Sequence, residues 1–119
     1  MEEMPANIQQ QIAQFQMMQQ QAQAISSQKV QMEIQLKEID HSIGELKKLK
    51  KDAEVYESIG AILIKKGKTK ITSELKERKE TFELRVKTLA KHERDIQAKL
   101  MEMQNEIQNS LKSGGPQAG

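Results

Sequence analysis

Apolar residues recur along the first part of the chain in steps that alternate mostly between three and four. These positions are Ile8, Ile12, Phe15, Met18, Ala22, Ile25, Met32, Leu36, Ile39, Ile43 and Leu46. Lys29 fills the one missing position, where its aliphatic stem can lie along an apolar surface. Such a heptad pattern gives a helix one narrow apolar stripe, which packs against another helix. The pattern predicts a first helix over residues 5–51.

A second segment repeats the same alternation towards the end of the chain. Its apolar positions are Leu75, Phe82, Val86, Leu89, Ile96, Leu100, Met103 and Ile107. Lys79 and Glu93 fill the two gaps, and Thr69 is the predicted N-cap because its hydroxyl can accept a bond from a first-turn amide. We therefore predict a second helix over residues 70–112. The tail "SGGPQAG", residues 113–119, cannot continue a helix and is predicted to be disordered.

The segment between the helices, residues 54–67, has a different pattern. "VYESI" and "ILIKK" are rich in β-branched residues and flank Gly60-Ala61. Glycine at the first position of a two-residue loop suits a type II′ turn, which predicts a β-hairpin. In that register Val55 pairs with Lys66, Glu57 with Ile64, and Ile59 with Ile62.

The two predicted helices are similar in length and are joined by a short connection. We predict one domain over residues 1–119: a mainly α fold in which a long antiparallel two-helix coiled-coil hairpin carries one β-hairpin at its closed end. The alternative is that each helix forms a separate intermolecular coiled coil.

The predicted β-hairpin has apolar side chains on both faces. A lone two-stranded hairpin is marginal in water and leaves strand edges open. We therefore predict that partner strands from other subunits complete an intersubunit β-barrel. The alternative is that the hairpin folds back onto its own helix ends. The predicted oligomerisation residues, called the strand set below, are Val55, Tyr56, Ile59, Ile62, Leu63 and Ile64.

Composition excludes several classes of function. Aromatic residues make up 3% of the chain and charged residues 30%, which is typical of long helices and coiled coils rather than a compact globule. Cysteine is absent, and no phosphate-binding loop or metal-spaced cluster is visible. His41 and His92 are isolated on charged helices. We expect no enzyme activity, cofactor, metal site or membrane span, and a cytoplasmic location.

With these elements in place, the segment "EVYESIGAILIKKGKTKITSELKERKETFELRVKTL" resembles prefoldin, specifically the archaeal β-type subunit. The part "VYESIGAILIKK" stands at the strand pair of that family, and "SELKERKETFELRVKTL" opens its second helix. A β-type subunit has one strand hairpin between its helices, and this chain has room for only one.

The resemblance implies an ATP-independent co-chaperone (holdase) subunit. It implies a hexamer of two α-type and four β-type subunits, whose strand hairpins form a double β-barrel. It also implies that the free coiled-coil ends hold non-native client proteins and deliver them to a group II chaperonin. The rival interpretation is a structural coiled-coil adaptor or tether that joins two fixed partners.

The chain ends supply more apolar residues than one helix–helix contact needs. Met17 and Met18 are adjacent, as are Leu100 and Met101, so neither pair can face one stripe. Methionine is flexible and recurs on surfaces that bind many partners; the alternative is ordinary coiled-coil filling. The predicted client-binding residues, called the tip set below, are Ile8, Ile12, Phe15, Met17, Met18, Leu100, Met101, Met103, Ile107 and Leu111.

Two biased stretches remain open to two interpretations each. In "NIQQQIAQFQMMQQQAQA", glutamine keeps the helix polar without charge, which would tolerate clients of either sign; it could equally be low-complexity drift. A basic cluster, Lys47, Lys48, Lys50, Lys51, Lys65, Lys66, Lys68 and Lys70, could bind nucleic acid. It lacks stacking aromatics other than Tyr56, and the net charge is only +2. We favour protection of exposed strand edges and expect no nucleic acid partner.

Overall fold

The computed structural model describes residues 5–114, in which one β-hairpin follows the first of two long helices and precedes the second along the chain. In chain order the elements are α1 (Ala6–Lys47), β1 (Val55–Ile59), β2 (Ile62–Lys66) and α2 (Lys68–Gly114). The mainly α fold class with a single strand hairpin is thus confirmed. The prediction of a disordered tail from residue 113 is wrong for residues 113 and 114, which continue α2 beyond its predicted end at residue 112. The rest of the predicted tail lies outside the described residues.

The structure divides into a terminal unit, with described residues 5–29 and 88–114, and a central unit, residues 30–87. In the central unit Asp40 lies opposite Lys79, and the carbonyl of Leu49 accepts a hydrogen bond from Lys68 Nζ at 2.6 Å. The contacting residues are met in increasing order along the first segment and in decreasing order along the second. The helical segments of this unit are therefore antiparallel. Its most buried apolar residues are Ile39, Ile43, Leu46 and Ile71.

Both inner helix ends differ from the prediction. α1 ends at Lys47 rather than at residue 51, because bonds from Lys48 N to Glu45 O and from Leu49 N to Leu46 O tighten its last turn. The Leu49 carbonyl also accepts a hydrogen bond from Lys68 Nζ. α2 begins at Lys68 rather than at residue 70, because the Gly67 carbonyl accepts the first helical bond from Ile71 N. Gly67, and not Thr69, is therefore the N-cap residue.

The β-hairpin has the predicted register. Val55 pairs with Lys66, Glu57 with Ile64, and Ile59 with Ile62. Gly60 has φ 57°, and no non-glycine residue described has a positive φ. A type II′ turn requires this conformation at its first central residue only, so Gly60-Ala61 sets the strand pairing.

One charged layer interrupts the apolar stripe of the terminal unit. Glu93 of α2 accepts a hydrogen bond from Lys29 Nζ at 2.6 Å and another from Ser26 Oγ at 2.6 Å, both on α1. Lys29 and Ser26 lower the pKa of the Glu93 carboxyl, since both bonds favour the ionised form. Lys29, which fills the gap in the α1 pattern, therefore faces Glu93, which fills one of the two gaps in the α2 pattern.

Reversing one charge of this layer is expected to destabilise the helix pair. Glu93→Lys places two ammonium groups together, and Lys29→Glu places two carboxylates together, so each should lower Tm measured by circular dichroism. The double variant Lys29→Glu/Glu93→Lys restores opposite charges and should recover much of the loss. Single and double variants with equal Tm values would show that the ion pair contributes nothing to pairing.

Candidate interaction surfaces

Exposed apolar side chains mark the strand hairpin. Ile62 is 58% exposed and Leu63 is 70% exposed, and Tyr56, Ile59 and Ile64 are also exposed. Val55 is half-buried. Because successive residues of a strand point to opposite faces, Ile62 and Ile64 share one face and Leu63 lies on the other. Neither face is covered over the turn-proximal half of the hairpin.

The opposite end of the hairpin is tied to α2. Lys66 of β2 forms ion pairs with Glu57 of β1 and with Glu74 of α2, the latter at 2.8 Å. Glu57 and Glu74 raise the pKa of the Lys66 ammonium, and Lys66 lowers the pKa of the Glu74 carboxyl. These ion pairs hold the base of the hairpin against α2 and do not involve the turn at Gly60-Ala61. This cluster was not predicted from the sequence.

An open cavity of about 490 Å³ lies in the central unit between the base of the hairpin and the helices. Its apolar lining includes Leu46, Leu49 and Val55, and its charged lining includes Glu74 and Arg78. One alternative was that the hairpin folds back onto its own helix ends. Only its base does so, and five apolar residues of the strand set remain exposed.

The basic cluster is partly neutralised within the chain. Lys48 pairs with Glu45 at 3.3 Å, and Lys65 pairs with Glu54 at 3.4 Å. Lys66 and Lys68 are engaged as described above. Several of the eight lysines therefore have acceptors of their own.

The terminal unit contains all ten residues of the tip set, in different environments. Ile8 is only 1% exposed, whereas Met17 is 62% and Met101 is 70% exposed. Leu111 is exposed as well, and the half-buried members are Ile12, Phe15, Met18, Leu100, Met103 and Ile107. Of each adjacent pair, one member packs inward (Met18, Leu100) and the other points outward, as the pattern required. Ile8 is therefore almost wholly shielded from solvent in this conformation.

Three exposed apolar residues on the helices were not singled out from the sequence. Val30 and Ile34 are each 49% exposed on α1, and Leu84 is exposed on α2. They could have been recognised in the sequence, because all three are apolar residues that lie outside the apolar stripes. Within residues 5–114 no helix is long and apolar enough to cross a membrane.

Two antiparallel helical segments joined through a strand hairpin with exposed apolar side chains define a coiled-coil subunit. A family model described as "Prefoldin subunit" matches residues 9–114. The chain belongs to the prefoldin subunit family, whose members are chaperone subunits and are not known as enzymes.

The relatives agree with the predicted β type. The chain is 40% identical to the prefoldin subunit beta of Archaeoglobus fulgidus over the full length of both chains. It is 41% identical to that of Methanosarcina acetivorans, over 98% of this chain and 97% of the relative. The crystal structure of the prefoldin beta subunit from Thermococcus strain KS-1 matches with a TM-score of 0.83 and 34% identity, covering 93% of this chain and 97% of that one. The resemblance to archaeal β-type subunits is thus confirmed.

Proposed function

We propose that the chain is a β-type subunit of an ATP-independent cytoplasmic holdase. It assembles with α-type subunits and further β-type copies into a hexamer of two α and four β subunits. Its tip set captures non-native proteins, which the complex delivers to a group II chaperonin. The observation that carries the proposal is that Met17 and Met101, in the tip set, expose most of their apolar side chains to solvent.

The strand hairpin supports the assembly part of the proposal. Edge strands and exposed apolar faces favour pairing with further strands, and a barrel is the arrangement that leaves no edge. Ile59, Ile62 and Leu63 would then be covered by neighbouring subunits. The same residues leave a lone subunit with an aggregation-prone surface.

An adaptor or tether is the second candidate function. It would hold two fixed partners and would have no use for flexible methionine side chains exposed near the helix ends. The exposed Met17 and Met101 therefore favour capture of varied apolar sequences over attachment to fixed partners.

Client protection is expected to require no nucleotide. The full chain, assembled with an α-type subunit, should suppress aggregation of a chemically denatured protein equally well with and without ATP. Light scattering of the client measures protection, and calorimetry measures nucleotide binding. Protection that requires ATP would overturn the proposed mechanism, and absence of protection under both conditions would favour the tether.

A further inference from the structure

Met17 and Met101 have the same kind of surroundings on the two helices of the terminal unit. On a helix the surface neighbours of a residue lie three and four positions away on either side. For Met17 these are Ala13, Gln14, Gln20 and Gln21, and for Met101 they are Gln97, Ala98, Gln104 and Asn105. All eight neighbours are exposed. Each methionine is thus surrounded by one alanine and three carboxamide side chains, and these two surfaces are called the Met17 patch and the Met101 patch.

Three other exposed apolar residues on the helices each have a charged neighbour. Val30 has Glu33 as a neighbour three positions away, Ile34 has Lys37, and Leu84 has Lys87. An uncharged surround is therefore not a general property of exposed apolar residues in this chain.

The absence of charge extends further on α1 than on α2. No residue from Pro5 to Gln28 is charged at neutral pH. α2 is highly charged over its part of the same unit, yet the four surface neighbours of Met101 are uncharged. Lys99 and Glu102 flank Leu100-Met101 in the sequence. They form an ion pair, with 4.0 Å between Lys99 Nζ and Glu102 Oε2. The Met101 patch thus remains neutral on an otherwise charged helix.

A carboxamide offers one acceptor and two donors, which match the N–H and C=O groups of a peptide backbone. A non-native polypeptide exposes such groups at every residue together with varied apolar side chains. We propose that the carboxamides around Met17 and Met101 take part in capture by hydrogen-bonding to the backbone of an extended non-native polypeptide. In each patch the methionine contacts an apolar client side chain, and the surrounding carboxamides bond to the client backbone.

This inference rests on the proposed function and specifies its client chemistry. Neither a methionine nor a carboxamide discriminates between client charges, and neither interaction is screened by salt as an ion pair is. Capture should therefore be nearly independent of the net charge of the client and of ionic strength. Charge elsewhere on the chain, such as the basic cluster, should have little influence on affinity.

The test compares substitutions in a patch with matched substitutions outside it. One variant carries Gln14→Ala, Gln20→Ala and Gln21→Ala, and a second carries glutamate at the same three positions. The controls carry the same changes at Gln28, Gln31 and Gln35, which are also exposed on α1. Alanine and glutamate both favour helix, so circular dichroism should show unchanged helix content.

Affinity is measured by fluorescence anisotropy with two permanently unfolded probes, alkylated lysozyme (basic) and alkylated α-lactalbumin (acidic), at low and high salt. The unaltered assembled chain should bind both with similar Kd values. The alanine variant should bind both about tenfold more weakly, because three hydrogen-bonding groups are lost. The glutamate variant should favour the basic probe by about tenfold at low salt and lose that preference at high salt.

Three results would overturn the inference. They are an alanine variant that binds as tightly as the unaltered chain, controls that weaken binding as much as the patch variants, and strong charge preference by the unaltered chain. A chain lacking residues 1–21 and 97–119, and hence both patches and the whole tip set, separates this failure from failure of the proposed function. If that truncated chain loses affinity and the alanine variant does not, only the role of the carboxamides is wrong. If the truncated chain retains full affinity, the proposed client surface itself is wrong.

Discussion

Replacing Ile62 and Ile64 by aspartate is expected to dissociate the complex while leaving the helices intact. Both side chains are exposed on one face of the strand hairpin in the single chain, so their loss should cost the subunit fold little. In the assembly each isoleucine would bury its side chain, worth about 1.5–3 kcal/mol, against neighbouring strands. Losing two such contacts weakens association by about a hundredfold or more.

The carboxylates add a second penalty. An ionised group buried without a partner is costly, so the substituted face can no longer be covered without exposing the charge or neutralising it. Light scattering should therefore report a much smaller mass for the variant, while circular dichroism should keep its helical signal.

A matched control is available on α1. Val30→Asp/Ile34→Asp also replaces two exposed branched apolar residues, each 49% exposed, on an element that the proposed interface does not use. This control should keep the mass of the unaltered complex. An unchanged mass for the Ile62→Asp/Ile64→Asp variant would reject assembly through the strands, and loss of mass in both variants would point to a nonspecific effect of charge.

The elements that the sequence predicted well are those fixed by local rules. The heptad spacing specifies two helices with one apolar stripe each, and Gly60-Ala61 specifies both the turn and the register of the strands. Because apolar residues lie on both faces, the register is specified by the two-residue turn, which pairs Ile59 with Ile62. These features depend on neighbours within a few residues along the chain.

The features that the sequence did not predict depend on contacts between distant residues. α1 ends at Lys47, where Lys48 N and Leu49 N bond to carbonyls three residues back, and Lys68 of α2 bonds to the nearby Leu49 carbonyl. Gly67, which directly follows β2, accepts the first helical bond of α2. Likewise, each gap in the two apolar patterns was visible, but the pairing of Lys29 with Glu93 requires the relative register of the two helices.

The exposure of the tip-set residues could also be predicted only in part, because it too depends on contacts between distant residues. Spacing alone indicated that Met17 and Met18 could not both face the partner helix, and it did not show that Ile8 is almost wholly buried. How deeply a residue is buried depends on which side chains of the other helix pack against it. The neutral surroundings of Met17 and Met101 were present in the sequence, but they gain meaning only once these two residues are known to be exposed.

Removing the residues before Gln19 and after Met101 is expected to abolish most client protection. The deletion takes away exposed Met17 and Leu111, and it also takes Phe15, Met18 and other half-buried members of the tip set. Helix ends fray more readily than helix interiors, because their terminal backbone groups lack partners, so half-buried residues there can also reach a client.

Each lost side chain forgoes about 1.5–3 kcal/mol of burial against a client, an upper value because the client also loses conformational freedom on binding. Loss of two such contacts already corresponds to about a hundredfold in affinity. The strand hairpin is left unaltered, so the mass of the complex should fall only by the deleted residues. Size and protection are therefore separable in the same sample.

The decisive measurement is a client-aggregation assay on the truncated chain, restricted to samples that light scattering shows to be assembled. As a control, Lys50→Glu/Lys51→Glu changes the charge of the basic cluster in the full-length chain and should reduce protection much less. If the truncated complex protects clients as well as the full-length complex does, the tip set is not the client surface. The strand hairpin, and the barrel that it is proposed to form, would then be the better candidate, because Ile62 and Leu63 also expose most of their apolar side chains.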